Sequence, residues 1–250
     1  MAGVWSAGSN VGYNTYQPFS GGNPSNAYCA GGGPTSTATT REWNGSSWSA
    51  GGNLTAAKMN CADGDSGNST DAIAAGGKTT SAVATTHKYN GTAWSSGGKM
   101  AVARQALTCV GNTTDALAVC GQDNAWTVLL TVEEYNGTSW SSGADWSATG
   151  VTNSTGGGNS TAAITMGGTD GTNFSTSKTY NGTAWTTVAS INTARQQLGG
   201  GGSTTSAICF GGYISAITNL TDEYDGTSWS VGGNLNTARR LVSGGASATG

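Results

Sequence analysis

The chain of 250 residues is long enough to bury a sizeable core, yet only 9% of its residues are charged and 42 are Gly. Its formal net charge is −3 with ten Lys plus Arg, so the excess of cations on which nucleic-acid binding depends is missing, and we exclude a nucleic-acid partner. No run of eighteen apolar residues predicts a membrane-spanning helix, and the first residues lack the basic and apolar regions of a signal peptide. We therefore expect a soluble protein without membrane insertion.

A six-residue motif, typified by Tyr-Asn-Gly-Thr-Ser-Trp at residues 135–140, recurs along the whole chain. Its copies end at intervals of 46, 46, 45 and 44 positions, at Trp48, Trp94, Trp140, Trp185 and Trp229. Trp5 lies a further 43 positions before the first of these residues. Such a period is typical of solenoids and propellers. The motif divides a single domain of residues 1–250 into repeats at 6–48, 49–94, 95–140, 141–185 and 186–229, with a partial sixth repeat at 230–250.

Each repeat contains four segments of strand length bounded by Gly, Asn, Ser or Thr, and none of them has the apolar period of a helix. The second segment is small and almost continuously apolar, as in Ala-Ile-Cys-Phe at residues 207–210, and in most repeats it ends in two glycines. Such a run predicts a strand that is covered on both faces. The Asn-Gly or Asp-Gly pair between the third and fourth segments predicts a two-residue type I′ hairpin with positive φ at both central residues.

Four antiparallel strands in every repeat, arranged around an axis, predict an all-β fold of the β-propeller class. We favour five blades, one for each complete repeat. Residues 2–5 resemble a fourth strand, residues 236–242 resemble a first strand, and the next double glycine would fall near position 255. Two hypotheses follow for these ends. Either they overlap on a blade edge or with another chain, or the protein is longer and has six or more blades.

The repeat also resembles a known family. An apolar strand that ends in Gly-Gly, an aromatic residue before a turn and a Trp about five residues later are similar to the kelch repeat over nearly the whole chain. The near absence of Pro and of charged residues departs from typical kelch proteins. The Asn-Gly-Thr-Ser-Trp and Asn-Thr-Ala-Arg stretches also resemble repeat proteins of tailed bacteriophages, especially those of marine cyanobacteria. That resemblance implies a virion component, in a tail or appendage, that is assembled in the host cytoplasm.

Aromatic residues suggest two kinds of binding surface. The repeated Trp residues have faces on which sugars stack, and equivalent sites would supply avidity, but their regularity favours packing between adjacent blades. Aromatic residues outside the repeat pattern are better ligand candidates because repetition does not explain them: Tyr13, Tyr16, Trp126, Trp146 and Tyr213. Trp126 follows Asp123 in the longest connection between a double-glycine position and the next Trp, and exposed loop residues often carry binding.

Ten residues after each Trp lies a position that is basic in four of the five repeats, namely Lys58, Arg104, Gly150, Arg195 and Arg239. We call its four cations the basic register. The position falls at the entry to the first strand, which runs beside the central channel of a propeller. A ring of cations there is a candidate site for an anion or for an acidic partner surface. The alternative is that each cation hydrogen-bonds backbone carbonyls of the preceding loop or pairs with a neighbouring acid.

The cysteines show no metal-ligand spacing; they are Cys29, Cys61, Cys109, Cys120 and Cys209. Three of them fall in the same apolar segment of different repeats, which favours small buried fillers over disulfides or a catalytic thiol. The only histidine, His87, occupies a strand position that other residue types fill in other repeats. Without a second His, the chain offers neither a metal ligand set nor a Ser-His-Asp arrangement. We therefore expect no cofactor, no metal and no enzymatic activity.

The favoured function is that of a non-enzymatic structural or interaction protein of a phage virion, whose loops recognise a protein or a host surface. Its partners would be other virion proteins, copies of itself or a host-surface glycan. The alternative is a carbohydrate-binding, lectin-like propeller. The candidate binding residues are Trp126, Asp123, Tyr213, Tyr13, Tyr16, Lys58, Arg104, Arg195 and Arg239.

Overall fold

The structure, a computed structural model, describes residues 4–13, 15–60, 64–242 and 244–245. This described part forms five antiparallel sheets of four strands each, without any helix, arranged as a β-propeller. Within each sheet the strands follow one another in sequence order. The predicted all-β fold and the favoured count of five blades are confirmed.

The strands follow the chain from blade to blade. Blade 1 contains β1 (Phe19–Asn23), β2 (Asn26–Ala30), β3 (Thr40–Trp43) and β4 (Trp48–Ala50). Blade 2 contains β5 (Gly67–Asn68), β6 (Asp71–Ala75), β7 (Thr86–Tyr89) and β8 (Trp94–Ser96). Blade 3 contains β9 (Thr108–Gly111), β10 (Ala116–Val119), β11 (Val132–Tyr135) and β12 (Trp140–Ser142). Blade 4 contains β13 (Thr155–Gly158), β14 (Ala163–Met166), β15 (Ser177–Tyr180) and β16 (Trp185–Val188). Blade 5 contains β17 (Gly199–Gly202), β18 (Ala207–Phe210), β19 (Thr221–Tyr224) and β20 (Trp229–Val231).

The second strand of each blade supplies the core. All four residues of β10 and of β14 are buried, and so are the last four residues of β6. The largest of their side chains, Ile73, Leu117 and Ile164, are fully buried. Burial of this apolar surface is the main favourable contribution to folding. The prediction of strands covered on both faces is confirmed for these three blades.

The first strands of neighbouring blades approach so closely that some positions have room only for glycine. In blades 4 and 5 these strands read Thr-Gly-Gly-Gly and Gly-Gly-Gly-Gly. A Cβ atom on Gly157 would lie 2.3 Å from the carbonyl oxygen of Gly202 in the next blade. Glycine within a strand often marks such a close approach of two backbones. Part of the high glycine content is therefore a requirement of packing between blades.

The loop between the third and fourth strands is longer than predicted. In blade 2, Tyr89 pairs with Trp94, so four residues connect the strands. Gly91 has a φ of 87°, whereas Asn90 is not left-handed. The Asn90 side chain accepts hydrogen bonds from the second and third amides that follow it, at 3.0 and 2.9 Å. The type I′ prediction is wrong because this side chain closes the turn itself, which removes the need for a second left-handed residue.

Six left-handed residues of the described chain connect the blades around the axis. Their φ angles lie between 47° and 57°, and they are Gln17, Asn60, Ala106, Asn153, Gln197 and Leu241. From Ala106 onward, each amide donates to the carbonyl of the member before it at 2.9 to 3.1 Å, and the amide of Gln17 donates to Leu241. We call this set the amide ring. Blade 5 is thus joined to blade 1 through Leu241 and not through a direct bond between their own ring members.

The first and last described segments of the chain, at Trp5 and Leu241, lie at a sixth position between blade 5 and blade 1. Leu241 places the C-terminal segment where a first strand would enter. Trp5 donates its indole N–H to the hydroxyl of Thr221 at 3.2 Å, as Trp94 of a complete blade does to Thr40 at 2.9 Å. The two ends therefore take the first-strand and fourth-strand places expected from their sequences. The first three residues lie outside the described part of the chain.

Gly157→Ala tests the close approach of the first strands. The added methyl group overlaps the carbonyl of Gly202, so we expect the free energy of unfolding to fall by about 3 kcal/mol. Gly8→Ala is the matched control, because its Cβ would meet nothing within 4 Å and the change should stay within about 0.5 kcal/mol. Urea unfolding measures both variants. Equal stability of the two variants would show that these strands have room to separate.

Candidate functional site

Most of the basic register lies inside the protein. Lys58, Arg104 and Arg195 have an exposure of 0%, whereas Arg239 is exposed. A fully buried cation cannot contact an anion in solvent or the surface of a partner. The prediction of a basic ring that binds an anion or an acidic partner is therefore wrong for the three buried members.

The buried arginines pair with acids of their own blades. The guanidinium of Arg104 donates to the carboxylate of Glu133 and to two backbone carbonyls at 3.1 and 2.8 Å. Arg195 makes the equivalent ion pair with Asp222 at 2.6 Å. A buried ion is tolerated only where a partner and further hydrogen bonds replace its hydration. These cations thus hold the entry to the first strand against the third strand, in agreement with the alternative interpretation of the register.

Blade 2 uses a different pair at the same place. Lys58 donates to the carbonyls of Gly76 and Thr85 at 3.0 and 3.2 Å. The position of the acid on the third strand is taken by His87, which is buried. Burial, together with the nearby charge of Lys58, lowers the pKa of His87 to about 4. The imidazole is therefore neutral at physiological pH.

Acid should destabilise the protein through His87. Its folded pKa of about 4 lies below the ordinary value of 6.5, so the unfolded state takes up the proton first as the pH falls. We expect this contribution to be complete above pH 6.5 and to fall by about 2 to 3 kcal/mol between pH 7.5 and pH 4.5. His87→Gln should remove this part of the pH dependence. Denaturant titrations at both pH values measure it, and an unchanged loss in the variant would contradict the assignment.

Arg104→Met tests the structural role of the basic register. The substitution leaves Glu133 buried without its ion pair, so we expect the free energy of unfolding to fall by about 3 to 5 kcal/mol. Arg239→Met is the matched control, because this member is exposed and its loss should cost less than about 0.5 kcal/mol. Urea unfolding distinguishes the two. A small effect at Arg104 would mean that its buried pair contributes little.

The described cysteines lie in surroundings that keep their thiols protonated. The four that the structure describes are free and buried: Cys29, Cys109, Cys120 and Cys209. Burial raises the pKa of Cys29 to about 11 and the pKa of each of the other three to about 12. A thiol of this kind does not form the thiolate that nucleophilic chemistry needs. The prediction of small buried fillers is confirmed for Cys29, Cys120 and Cys209; Cys109 is buried as well, and Cys61 lies outside the described residues.

The repeated Trp residues pack the blades. In blades 2 to 5 each of them lies against the Tyr at the end of the third strand, with ring centroids 4.8 to 5.0 Å apart. The indole N–H of Trp94 and that of Trp140 reach the preceding blade, where each donates to a Thr hydroxyl at 2.9 Å. This geometry agrees with the packing interpretation of the repeated Trp.

Several irregular aromatics are also engaged internally. Trp146 is buried and donates its indole N–H to the hydroxyl of Thr165 at 2.9 Å, so its prediction as a ligand candidate is wrong. Tyr13 is half-buried, and its hydroxyl donates to the carbonyl of Gly31 at 3.1 Å. Tyr16 is also half-buried. The structure does not bring these N-terminal tyrosines together with Trp126, which lies in blade 3.

Trp126 is the most exposed aromatic side chain in the described residues, at 63%. Its φ of 63° is rare for a bulky residue, and strain of this kind is found at functional sites. The carboxylate of Asp123 accepts hydrogen bonds from the amides of Ala125 and Thr127 at 2.8 and 2.9 Å. Asp123 therefore shapes the loop that presents the indole ring. The Nζ atom of Lys78 lies 5.6 Å from the centre of that ring.

Trp126 belongs to one end of the propeller. The loops between second and third strands lie there, together with the loops between blades, because the strands alternate in direction. Other exposed apolar side chains at this end are Leu130, Ile214 and Ile217. We call this end the loop face. Hydrogen bonds link its loops, since the side chain of Asn124 accepts from the amide of Ala82 at 2.7 Å.

Tyr213 also lies on the loop face. It is half-buried, and the guanidinium of Arg240 lies 5.0 Å from the centre of its ring. Its backbone pairs with Gln196. Tyr213 is therefore partly available to a ligand, whereas Arg240 covers one side of its ring.

An apolar groove of about 450 Å³ lies at the sixth position, and the sequence pattern did not predict it. Its lining includes Trp5, Tyr28, Trp48, Phe210 and Val242. We call it the seam groove. The sequence contained a signal for it. Trp5 lies 43 residues before the first repeated Trp, and Arg239 lies ten residues after the last one, so both extend the repeat beyond the five complete blades.

Within the ranges that the structure describes, no cluster of three or more His, Cys, Asp or Glu side chains could hold a metal ion. The same residues contain no helix of the length and apolar character needed to cross a membrane.

Comparison with known proteins identifies the fold. No family model matches the sequence, and no curated protein matches it. Among the solved structures, 176 chains match. One of them, described as the structure of YjhT, has a TM-score of 0.77 at 10% sequence identity, over 93% of this chain and 87% of that chain. At this identity the likeness supports the propeller fold and does not identify a ligand or a reaction.

The prediction that the protein is not an enzyme is contradicted by this comparison. The propeller fold that this chain shares with YjhT gives no reason to exclude catalysis, so the exclusion is withdrawn. The sequence argument relied on the lack of a second histidine. Carboxylate and Tyr side chains also perform acid and base chemistry, so a single histidine is not a sufficient reason to exclude an enzyme.

Proposed function

We propose that the protein is a recognition propeller that binds a partner surface through its loop face. The fold is consistent with an interaction protein, since a closed ring of blades presents many loops on a rigid support. The observation that carries the proposal is Trp126, an indole held in an exposed position by a loop that Asp123 organises. Trp is enriched among the residues that dominate the energetics of protein interfaces.

The surroundings of Trp126 support a macromolecular partner. Leu130, Ile214 and Ile217 are exposed on the same face, at two blades of the ring. Exposed apolar side chains that share a face are typical of interaction surfaces. Lys78 and Arg240 lie against the rings of Trp126 and Tyr213, and such cations suit a partner that offers carboxylates or backbone carbonyls.

The more specific proposal is a virion appendage with kelch-like blades. It is supported by the resemblance of the repeat wording to phage proteins and to the kelch pattern. In that setting the loop face would contact another virion protein, a second copy of this chain or the surface of a host. Mass spectrometry of purified particles tests this assignment, and absence of the chain from the particles would contradict it.

A carbohydrate ligand is the second candidate. Trp126 favours it, because a solvent-exposed indole face is a suitable platform for stacking a sugar ring. For such a ligand Asn124, adjacent to the loop tip, would supply hydrogen bonds from the amide nitrogen of its side chain. The two candidates use the same loop and differ in the partner.

Trp126→Ala should abolish recognition while leaving the fold intact. The side chain is mostly exposed, so we expect a change in the free energy of unfolding within about 0.5 kcal/mol. Binding to a glycan array measures the carbohydrate candidate, and binding that survives the substitution would contradict it. Trp94→Ala is the contrasting control, because loss of this buried indole should cost about 3 to 5 kcal/mol.

A photo-crosslinking residue at position 126 tests the interaction candidate. The matched control carries the same residue in place of Thr205, which is exposed in a hairpin at the opposite end of the strands. We expect a discrete crosslinked protein in purified particles from position 126 and none from position 205. Equal crosslinking from both positions would contradict a specific loop face.

A further inference from the structure

We infer that the seam groove seats a β-hairpin of a partner polypeptide, whose two strands complete a sixth blade. The surface involved is separate from Trp126 and from the loop face. The inference rests on the geometry of the sixth position and on the polar groups of three side chains. Trp48 lines the groove, Glu223 lies on β19 of blade 5, and Arg239 precedes Leu241 in the C-terminal segment. It identifies the partner by the side chains that its second strand must carry.

The two segments beside the seam groove occupy the places of a first strand and a fourth strand. Gly244 lies against blade 5, because a Cβ atom on it would be 2.6 Å from the amide nitrogen of Gly200. Gly245 lies against blade 1, because a Cβ atom on it would be 2.5 Å from the amide nitrogen of Gly22. These residues therefore lie between the first strands of the two neighbouring blades, as a first strand does. Trp5 has the place of the fourth-strand Trp. In each complete blade, two antiparallel strands lie between these two places.

Glu223 is the first of the three polar groups. It occupies the third position of β19, and the third positions of β3 and β11 are Glu42 and Glu134. Each of those carboxylates accepts a hydrogen bond from a Tyr hydroxyl on the third strand of the following blade; for Tyr180 and Glu134 the distance is 2.5 Å. The blade that would follow Glu223 is the sixth. In the described residues the carboxylate of Glu223 has no hydrogen bond. We therefore expect a Tyr of the incoming strand to donate its hydroxyl to this carboxylate.

Arg239 is the second group. Its carbonyl accepts from the amide of Gly212 at 2.8 Å, as the carbonyl of Arg195 does from Gly168 at 2.9 Å, so the two backbones have the same register. Arg195 pairs with an acid, Asp222, at the second position of the third strand of its own blade. Arg239 is exposed and forms no ion pair within the described ranges. We therefore expect an Asp or Glu on the incoming strand to form an ion pair with Arg239.

Trp48 is the third group. The equivalent indoles of Trp94, Trp140 and Trp5 donate to a Thr that begins the third strand of the preceding blade. Where that strand begins with another residue, the indole N–H of Trp185 donates to the carbonyl of Ala144 and that of Trp229 has no partner in the described residues, so the pairing depends on Thr. The blade that precedes Trp48 in the ring is the sixth, and the indole lines the seam groove. Its N–H has no hydrogen bond among the described residues. We therefore expect a Thr at the start of the incoming strand, whose hydroxyl accepts a hydrogen bond from this indole.

These requirements define one sequence pattern. The third strand of the hairpin must begin with Thr, continue with an acid and end with Tyr, and the strand before it must be apolar to fit an apolar groove. The protein's own β18 and β19 have this pattern, with Thr221, Asp222 and Tyr224 in the required places. Strand addition of this kind derives affinity from backbone hydrogen bonds and specificity from alternate side chains. A small apolar molecule would leave all three polar groups unused.

A synthetic peptide of residues 206–224, with Cys209→Ala to prevent oxidation, is the probe. We expect it to bind the whole protein with a stoichiometry of one and to raise the thermal midpoint, because a ligand of the folded state stabilises it. A scrambled peptide should not bind. Calorimetric titration and thermal unfolding measure these results. Equal binding of the scrambled peptide, or no binding of the native one, would overturn the inference.

Paired substitutions identify the contacts. Peptides with Tyr224→Phe or Asp222→Asn should bind about tenfold or more weakly, since the first loses a hydrogen bond to a carboxylate and the second loses the negative charge of an ion pair. In the protein, Glu223→Leu should abolish the difference between the Tyr and Phe peptides, and Arg239→Met the difference between the Asp and Asn peptides. Undiminished differences in these variants would overturn the assigned pairs.

Two further measurements distinguish a hairpin in the seam groove from binding at the loop face and from a dimer. Trp126→Ala should leave peptide binding unchanged, so failure of the loop-face proposal does not affect this test. Sedimentation of the protein alone should show a monomer. A dimer that Trp48→Ala dissociates would mean that a second copy covers the groove, and would overturn the hairpin.

Discussion

The structure depends on the amide ring, in which the amides of five left-handed residues each donate to the carbonyl of the preceding member around the axis; they are Ala106, Asn153, Gln197, Leu241 and Gln17. A sheet alone has exposed edges, and a propeller removes this problem only if its blades are fixed against one another. The ring does this with backbone atoms, so it tolerates side chains as different as those of Gln17 and Leu241. Closure needs Leu241, which comes from the last repeat and joins the first blade to the fifth.

Most of the side chains that could perform chemistry instead stabilise the blades. Arg104 and Arg195 bind acids inside their blades, His87 is kept neutral next to Lys58, and the described thiols are buried. We therefore propose recognition at a position where the repeat is interrupted. At Trp126 an extended loop, organised by one carboxylate, exposes a large aromatic ring that no blade needs for packing.

Repetition also makes unpaired groups informative. Between complete blades, the carboxylates of Glu42 and Glu134 each accept a hydrogen bond from a Tyr hydroxyl of the following blade. Glu223 occupies the same strand position, so we expect a Tyr beside it as well. The unused donors and acceptors at the seam thus describe a partner, whereas the same groups in an irregular fold would indicate only contact with water. The seam and the loop face are distinct surfaces, so the two proposed binding sites can be tested independently.

Periodicity alone determined the strand count, the blade order and the buried second strand, because spacing of about 45 residues and continuous apolar runs are properties of the local sequence. It failed at the Asn90 turn, where a side chain replaces a backbone conformation, and at the basic register, which has the same spacing whether it faces solvent or an acid. Burial of Arg104 and of Trp146 depends on which strands pack around them. Closure through Leu241 joins residues more than two hundred positions apart, and only the tertiary structure decides which distant groups meet.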